Sequence, residues 1–301
     1  MKDYEYHLPT SLEEALRLKA EYGGEAWFVA GGTDVMVLKR AGRLDFDALI
    51  SLRRVPEVAG IREDGDSIVI GGGVTLTQLM QSELIRRELP SLHDAVCVMG
   101  CTQMRNLATV GGNVMSAVSS GDTIPPLLTL DAKCRLTSAD GERSVPLADF
   151  FPGPRQTAAQ DDELLAALEI PKPASGPASG PASGCGMAFH KLGRRAALDL
   201  AVVSIAIALE LEPDGKRITG ARAAAGAVGP TPIRLYEAEK ILTNSDPSEE
   251  TFASAAQAAL EESSPWDDVR ASRWYREEMI KVVFPRVAWA ALERAGAGGR
   301  S

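Results

Sequence analysis

The sequence predicts two successive units of mixed helix and strand, the second a small α+β domain. Three observations lead there. Short apolar strands alternate with capped helical segments up to residue 172. A Pro-Ala-Ser-Gly repeat breaks the composition at 173–184. Beyond it two strands precede three amphipathic helices. A chain of 301 residues has the length for this arrangement, at roughly 100–200 residues per domain.

The first helix is bounded by its own chemistry: Thr10 and Ser11 can cap it, Glu13 and Glu14 complete a capping box, and Gly23-Gly24 ends it. An apolar strand, 27–30, runs into Gly31-Gly32-Thr33-Asp34. Strands at 48–52 and 67–70 follow. Thr75 or Thr77 opens a helix to about Leu84, residues 88–105 read as helical, and a second glycine turn spans Thr109–Asn113. Pro125-Pro126 then starts a helix, and Asp140-Gly141 marks a hairpin. After the repeat, Val203, Ile205, Ile207, Leu209 and Leu211 line one side of a half-buried strand, paired through Asp214-Gly215 with a strand at 217–228. Helices are expected at 232–243, 248–262 and 272–295. The units are therefore placed at 1–172 and 185–295, joined by 173–184, which is too small and polar to pack a core and reads as a solvated, mobile connection. A frayed Gly/Arg tail follows.

Composition narrows the function classes. The net charge is −9, with acidic and basic residues interleaved, so no electrostatic footprint for nucleic acid or anionic lipid is present. No apolar run approaches the ~20 residues of a membrane helix, and the charged N-terminus lacks an apolar leader; a cytoplasmic protein is expected. Cys97, Cys101, Cys134 and Cys185 are scattered, with no metal-ligand spacing, and read as buried or incidental thiols.

The two Gly-Gly turns carry the chemical signal. Glycine admits positive φ and leaves no Cβ between backbone N–H groups and a ligand. Successive N–H groups can then form an anion nest, to which Thr33 and Thr109 add hydroxyls. Neither G-x-G-x-x-G nor G-x-x-x-x-G-K-[ST] occurs. Taken alone, each Gly-Gly turn after a strand reads as a plain tight turn or as an anion site, and neither as Rossmann nor as P-loop.

Four ordered segments extend this. Phe28-Val29-Ala30-Gly31-Gly32-Thr33-Asp34-Val35 resembles the first FAD-pyrophosphate loop of the molybdenum hydroxylase flavoproteins. Residues Arg105 to Asn113 resemble that family's R-N-x-x-T-[IV]-G-G-N signature, with Asp122-Thr123 at the family's distance. Residues 150–157 are similar to F-F-x-G-x-R-K-T, departing at Pro154 and Gln156, and Lys191 to Ala201 resembles K-x-x-R-R-x-x-x-D-[IL]-A. The resemblance covers residues 1–290.

It implies an α+β architecture: a vanillyl-alcohol-oxidase-type FAD-binding fold in two subdomains, split near 55–60, plus a C-terminal domain of antiparallel sheet with helices. It further implies that Ala30, Gly31, Gly32, Thr33, Asp34 and Val35, with Thr109, Val110, Gly111, Gly112 and Asn113, cradle the FAD diphosphate. Asp122 would accept from ribityl or ribose hydroxyls, Leu165 would lie against the flavin or adenine, and Lys191 would place a cation at the cofactor. A cation near N1 of a reduced flavin raises its potential. His190, on the opposite strand face, reads as structural. No cysteine-rich insertion for an additional cluster is visible, so noncovalent FAD is the one cofactor expected in this chain. Valine at Gly32 or Gly111 is expected to abolish FAD binding and leave the fold largely intact.

The same resemblance implies one subunit of three, as a dimer of heterotrimers. A large subunit would hold the molybdopterin cofactor, a small one two [2Fe-2S] clusters, and FAD here would pass electrons to NAD, a quinone, ferredoxin or oxygen. Two other readings stand beside it: a self-sufficient flavin oxidase, for which the second unit looks too small and plain, and a flavin-free assembly scaffold, against which the intact glycines argue.

Overall fold

The structure, a computed structural model, describes residues 3–172 and 184–296. The expected Pro-Ala-Ser-Gly connection, apart from Gly184, and the end of the tail lie outside the described residues. The strands are β1 (Glu5–His7), β2 (Ala26–Val29), β3 (Ala48–Ser51), β4 (Ile61–Asp64), β5 (Ser67–Gly71) and β6 (Lys133–Ser138). They continue with β7 (Gly141–Pro146), β8 (Leu164–Pro171), β9 (Cys185–Leu192), β10 (Val203–Leu211), β11 (Ile218–Gly226) and β12 (Ile233–Arg234). The helices are α1 (Leu12–Tyr22), α2 (Val35–Arg40), α3 (Leu76–Gln81), α4 (Glu83–Glu88), α5 (Pro90–Val98) and α6 (Thr102–Arg105). After them come α7 (Val110–Met115), α8 (Ile124–Thr129), α9 (Tyr236–Leu242), α10 (Glu249–Glu261) and α11 (Arg273–Arg294). The chain divides into two compact units, Met1–Leu79 with Cys101–Ala117 and Ala132–Pro171, and Met80–Gly100 with Val118–Asp131 and Lys172–Ser301.

The first unit holds two sheets. A parallel one, ordered β1-β3-β2, packs under α1; an antiparallel one is ordered β4-β5-β8-β6-β7. Helix α1 starts where its sequence says it should. Ser11 Oγ accepts from the Glu14 N–H at 3.1 Å, and the Glu14 carboxylate accepts from the Thr10 N–H at 2.8 Å. Gly23 ends the helix at φ +57°, and Lys19 Nζ donates to the carbonyls of Gly23 and Ala26. Ala15, Leu16 and Leu18 pack with Ala26 and Ile50 and with Leu164 and Ala166 of β8, which joins the two sheets in one core.

The second unit is a four-stranded antiparallel sheet, β12-β11-β10-β9. The aliphatic row Val203, Ile205, Ile207 and Leu209 of β10 packs on Ile280, Val283 and Phe284 of α11 and Phe252 of α10. Its other row is small because it too is covered: Ala206 packs with Ala95 of α5, and Ser204 and Gly226 lie beside Pro125 of α8. The expected half-buried strand is thus buried on both faces. Gly186 is glycine because a Cβ there would stand 1.9 Å from the Ala291 carbonyl oxygen, so close does α11 approach β9.

Three helical expectations are corrected. The span 88–105 breaks after Val98, where Met99 is extended and Gly100 takes φ +61°. The helix from Thr75 breaks at Ser82, whose hydroxyl caps α4 by accepting from the Ile85 N–H. Residues 233–234 are strand because they pair with Ala224 and Ala225 of β11, and α9 begins at Tyr236.

Candidate functional site

In the first unit, Ala30 to Asp34 form the turn that leaves β2, and Val35 is the first residue of α2. Among the described residues, the N–H groups of Gly31, Gly32, Thr33, Asp34 and Val35 meet no protein acceptor. Five successive unspent donors, followed by a helix start, make a turn suited to an anion. Gly32 needs to be glycine for conformation, at φ +70°. Gly31 needs it for space, since a Cβ would stand 2.0 Å from the Leu107 carbonyl oxygen. The Asp34 carboxylate leaves the helix end uncapped and accepts instead from Ser116 Oγ at 3.2 Å and from Arg155 Nη1 at 3.4 Å.

The second glycine pair differs from the expected loop. Thr109 is the N-cap of α7, its hydroxyl accepting from the Gly112 N–H at 3.0 Å, and Val110 to Asn113 are helical. Four of the donors assigned to an anion nest there are spent: Val110 N–H on the Val74 carbonyl, Gly111 N–H on that of Gly72, Gly112 N–H on the Thr109 hydroxyl and Asn113 N–H on the Thr109 carbonyl; among the described residues the Thr109 N–H meets no protein acceptor. Gly111 is required by packing, because a Cβ would lie 2.5 Å from the Gly72 carbonyl oxygen and 2.8 Å from its Cα. Valine at Gly111 therefore cannot leave the fold intact, contrary to expectation. Leu165, in β8, is 3% exposed as a whole residue, and its carbonyl abuts Gly72.

In the second unit, Asp122 lies in the buried turn before α8, whose Pro125-Pro126 fixes the helix start. Lys191, in β9, donates from Nζ to Asp122 Oδ2 at 2.6 Å, and the two side chains are 6% and 4% exposed. Asp122 Oδ1 is buried and receives no hydrogen bond among the described residues. Burial outweighs the ammonium and pushes the Asp122 carboxyl up to about 6, with Asp199 adding to the rise. A buried acceptor without a donor costs ~1–3 kcal/mol, so Oδ1 is the oxygen of this pair still able to take a donor. His190 lies on the opposite strand face and is exposed.

The structure thus brings the two glycine pairs into one unit and Asp122 and Lys191 into the other. Two arginines escaped the sequence reading. Arg155 forms the ion pair with Asp34, and its place in the F-F-x-G-x-R segment was the available signal. Arg276 is completely buried, and its only sequence signal was its position one helical repeat ahead of Ile280. Among the described residues, no helix is long and apolar enough to cross a membrane, and no group of His, Cys, Asp and Glu could hold a metal ion.

Residues 2–173 match the model of the FAD binding domain in molybdopterin dehydrogenase, and residues 187–291 that of the CO dehydrogenase flavoprotein C-terminal domain. The chain is 32% identical to the xanthine dehydrogenase FAD-binding subunit of Escherichia coli O157:H7, over 97% of each chain. A carbon monoxide dehydrogenase from Hydrogenophaga pseudoflava, lacking the Mo-pyranopterin moiety of the molybdenum cofactor, superposes with a TM-score of 0.91 at 29% identity, covering 97% of this chain and 98% of that one. Quinoline 2-oxidoreductase from Pseudomonas putida 86 gives 0.89 at 28% identity, covering 98% and 100%. The α+β class and the flavoprotein fold follow from these matches.

Proposed function

Because the chain belongs to the FAD-binding subunits of the molybdenum hydroxylase family, oxidoreductase components that bind FAD, we propose that it relays electrons from [2Fe-2S] clusters of a partner subunit to an external acceptor. NAD, a quinone, ferredoxin and oxygen are the acceptors such chemistry allows. A large subunit bearing the molybdopterin cofactor and a small cluster-bearing subunit are the proposed partners, in a dimer of heterotrimers. A cytoplasmic setting is part of this proposal. The domain division at 1–172, 173–184 and 185–295 belongs to the same proposal.

The observation that carries the reading is the run of unspent N–H groups from Gly31 to Val35. It suits a diphosphate, with Ala30, Thr33 and Asp34 completing the turn. Thr109 would add its own N–H, Val110 to Asn113 contribute shape rather than backbone donors, and Leu165, whose carbonyl abuts Gly72 next to Gly111, backs the glycine pair. In the second unit, Asp122 Oδ1 would accept from a polyol hydroxyl, and Lys191 would hold positive charge where reduction builds negative charge. Bound FAD supplies a carrier able to take electrons singly and release them in pairs. The protein's own groups bind it, orient it and balance its charge.

The test is direct. The purified chain should bind one FAD, and acid precipitation should release all of it. With its partners, substrate should bleach the flavin, and hydroxylation assayed with an acceptor that draws electrons upstream of the FAD should survive Asp122→Ala. Steady substrate oxidation by this chain alone would replace the relay with a self-sufficient oxidase. A folded chain that stays colourless with added FAD would replace it with a scaffold.

A further inference from the structure

We infer that Arg276 is a positioning residue for the Asp122–Lys191 pair, holding in register the two peptides that support its halves. The inference rests on the reading of Asp122 as a cofactor group. Arg276 lies in the first turn of α11, where an exposed arginine would be ordinary, yet it has no exposed surface. Its Nη1 donates to two carbonyls, Val202 at 2.5 Å and Ala227 at 3.0 Å. Each of those residues reaches one half of the pair through its own N–H. The Val202 N–H donates to the Leu192 carbonyl at 2.8 Å, beside Lys191. The Ala227 N–H donates to the Ser119 carbonyl at 2.8 Å, three residues before Asp122, and Ser119 Oγ donates in turn to the Gly229 carbonyl.

The arrangement is costly, which argues for a purpose beyond filling space. Ala227 is held at φ +61°, a region that a residue with a Cβ disfavours. The guanidinium is taken out of water completely. Asp268 Oδ1 lies 2.8 Å from Nη2, off the hydrogen-bond axis, and the Trp266 ring lies 4.9 Å from Cζ. A nonpolar side chain would pack this position, but it could not tie two carbonyls to one point. With that point lost, the Leu192 and Ser119 peptides become free to drift apart, and an Oδ2–Nζ contact of 2.6 Å has little tolerance for drift.

A double-mutant cycle on FAD affinity tests this, with FAD titrated into the flavin-stripped protein and its dissociation constant read from fluorescence. Arg276→Met should weaken FAD about tenfold in the parent and less than about twofold when Asp122→Asn is already present, since what Arg276 positions is the carboxylate–ammonium ion pair, which asparagine abolishes. Equal losses in the two backgrounds would mean that Arg276 supports the fold generally, and would overturn the inference. Asp122→Asn binding FAD as tightly as the parent would refute the cofactor role of Asp122 and the inference with it, a result distinct from equal losses. If Arg276→Met does not fold, Asp268→Asn enters the same cycle. That variant keeps the guanidinium and removes its counter-charge. A smaller loss that vanishes in the Asp122→Asn background is expected, and an additive one overturns the inference.

Discussion

Replacing Asp122 by asparagine separates two forces that act on the same carboxyl. Burial favours its neutral form, and the Lys191 ammonium at 2.6 Å favours the charged one. In the flavin-free protein burial wins, placing the folded titration at about 6 against an ordinary value of 3.8. Below about pH 4 the group is protonated in folded and unfolded chains alike. As pH rises towards 6, the unfolded chain releases its proton and the folded one keeps it, so this group's contribution to stability falls; above 6 it is constant. At ~1.4 kcal/mol per pH unit, the interval corresponds to about 3 kcal/mol. Asparagine has the same shape and can still accept from Lys191, but it does not titrate. Urea unfolding of parent and variant between pH 4 and 7.5, where the unfolded group is already half ionised at the acid end, should therefore show the parent losing about 2 kcal/mol relative to the variant. Glu163 and Asp268, both held below their usual range, lose stability in acid in both proteins and cancel in the difference. A difference that instead grows with pH would show the ion pair prevailing over burial and refute the reasoning.

Three further outcomes are expected. Gly31→Ala, whose Cβ would meet the Leu107 carbonyl oxygen at 2.0 Å, should destabilise the flavin-free protein by ~1–3 kcal/mol or more in thermal melts. Gly32→Ala meets nothing closer than 3.6 Å and pays only for its positive φ, about 1–2 kcal/mol, so it should fold and serve as the variant in which flavin titration probes the turn. Arg155→Gln should leave Asp34 as an uncompensated carboxylate at the same turn, weakening FAD binding several-fold at low salt and less at high salt; salt-independent binding would assign Arg155 no electrostatic part.

Local signals in the sequence translated well into local structure. The Thr10-Ser11 cap, the Gly23 stop, the Asp140-Gly141 hairpin and the Pro-initiated helix each depend on residues within one turn of one another. What failed depended on contacts distant in sequence. The donors of Val110 and Gly111 could not be known to be spent without seeing Val74 and Gly72 beside them. The β10 strand looked half-buried because its second row, Ser204 and Ala206, is small; that smallness is what lets α5 and α8 close over it. Arg276 lies on the same helical stripe as Ile280, Val283 and Phe284, and an arginine on such a stripe reads as a solvated edge until its two carbonyl partners are seen. The alternation of unit membership along the chain, with 80–100 and 118–131 joining the later residues, leaves no periodicity to read.

The glycines of the two signature segments divide the information those segments carry. Gly72 abuts the Leu165 carbonyl, Gly111 abuts Gly72, and Gly31 abuts Leu107, so main chain meets main chain with no side chain available to adapt by changing rotamer. A descendant that had lost its flavin would still need all three, because selection at these positions acts on folding. Their presence therefore reports ancestry and architecture, and counting them cannot tell a working flavoprotein from an empty one. Residues that the fold could do without are the better witnesses: the unsatisfied Asp122 oxygen, the cation beside it, and a turn that keeps five donors unspent. In a relative that keeps the glycines and has replaced Asp122 and Lys191 by apolar residues, the signature would have outlived the cofactor.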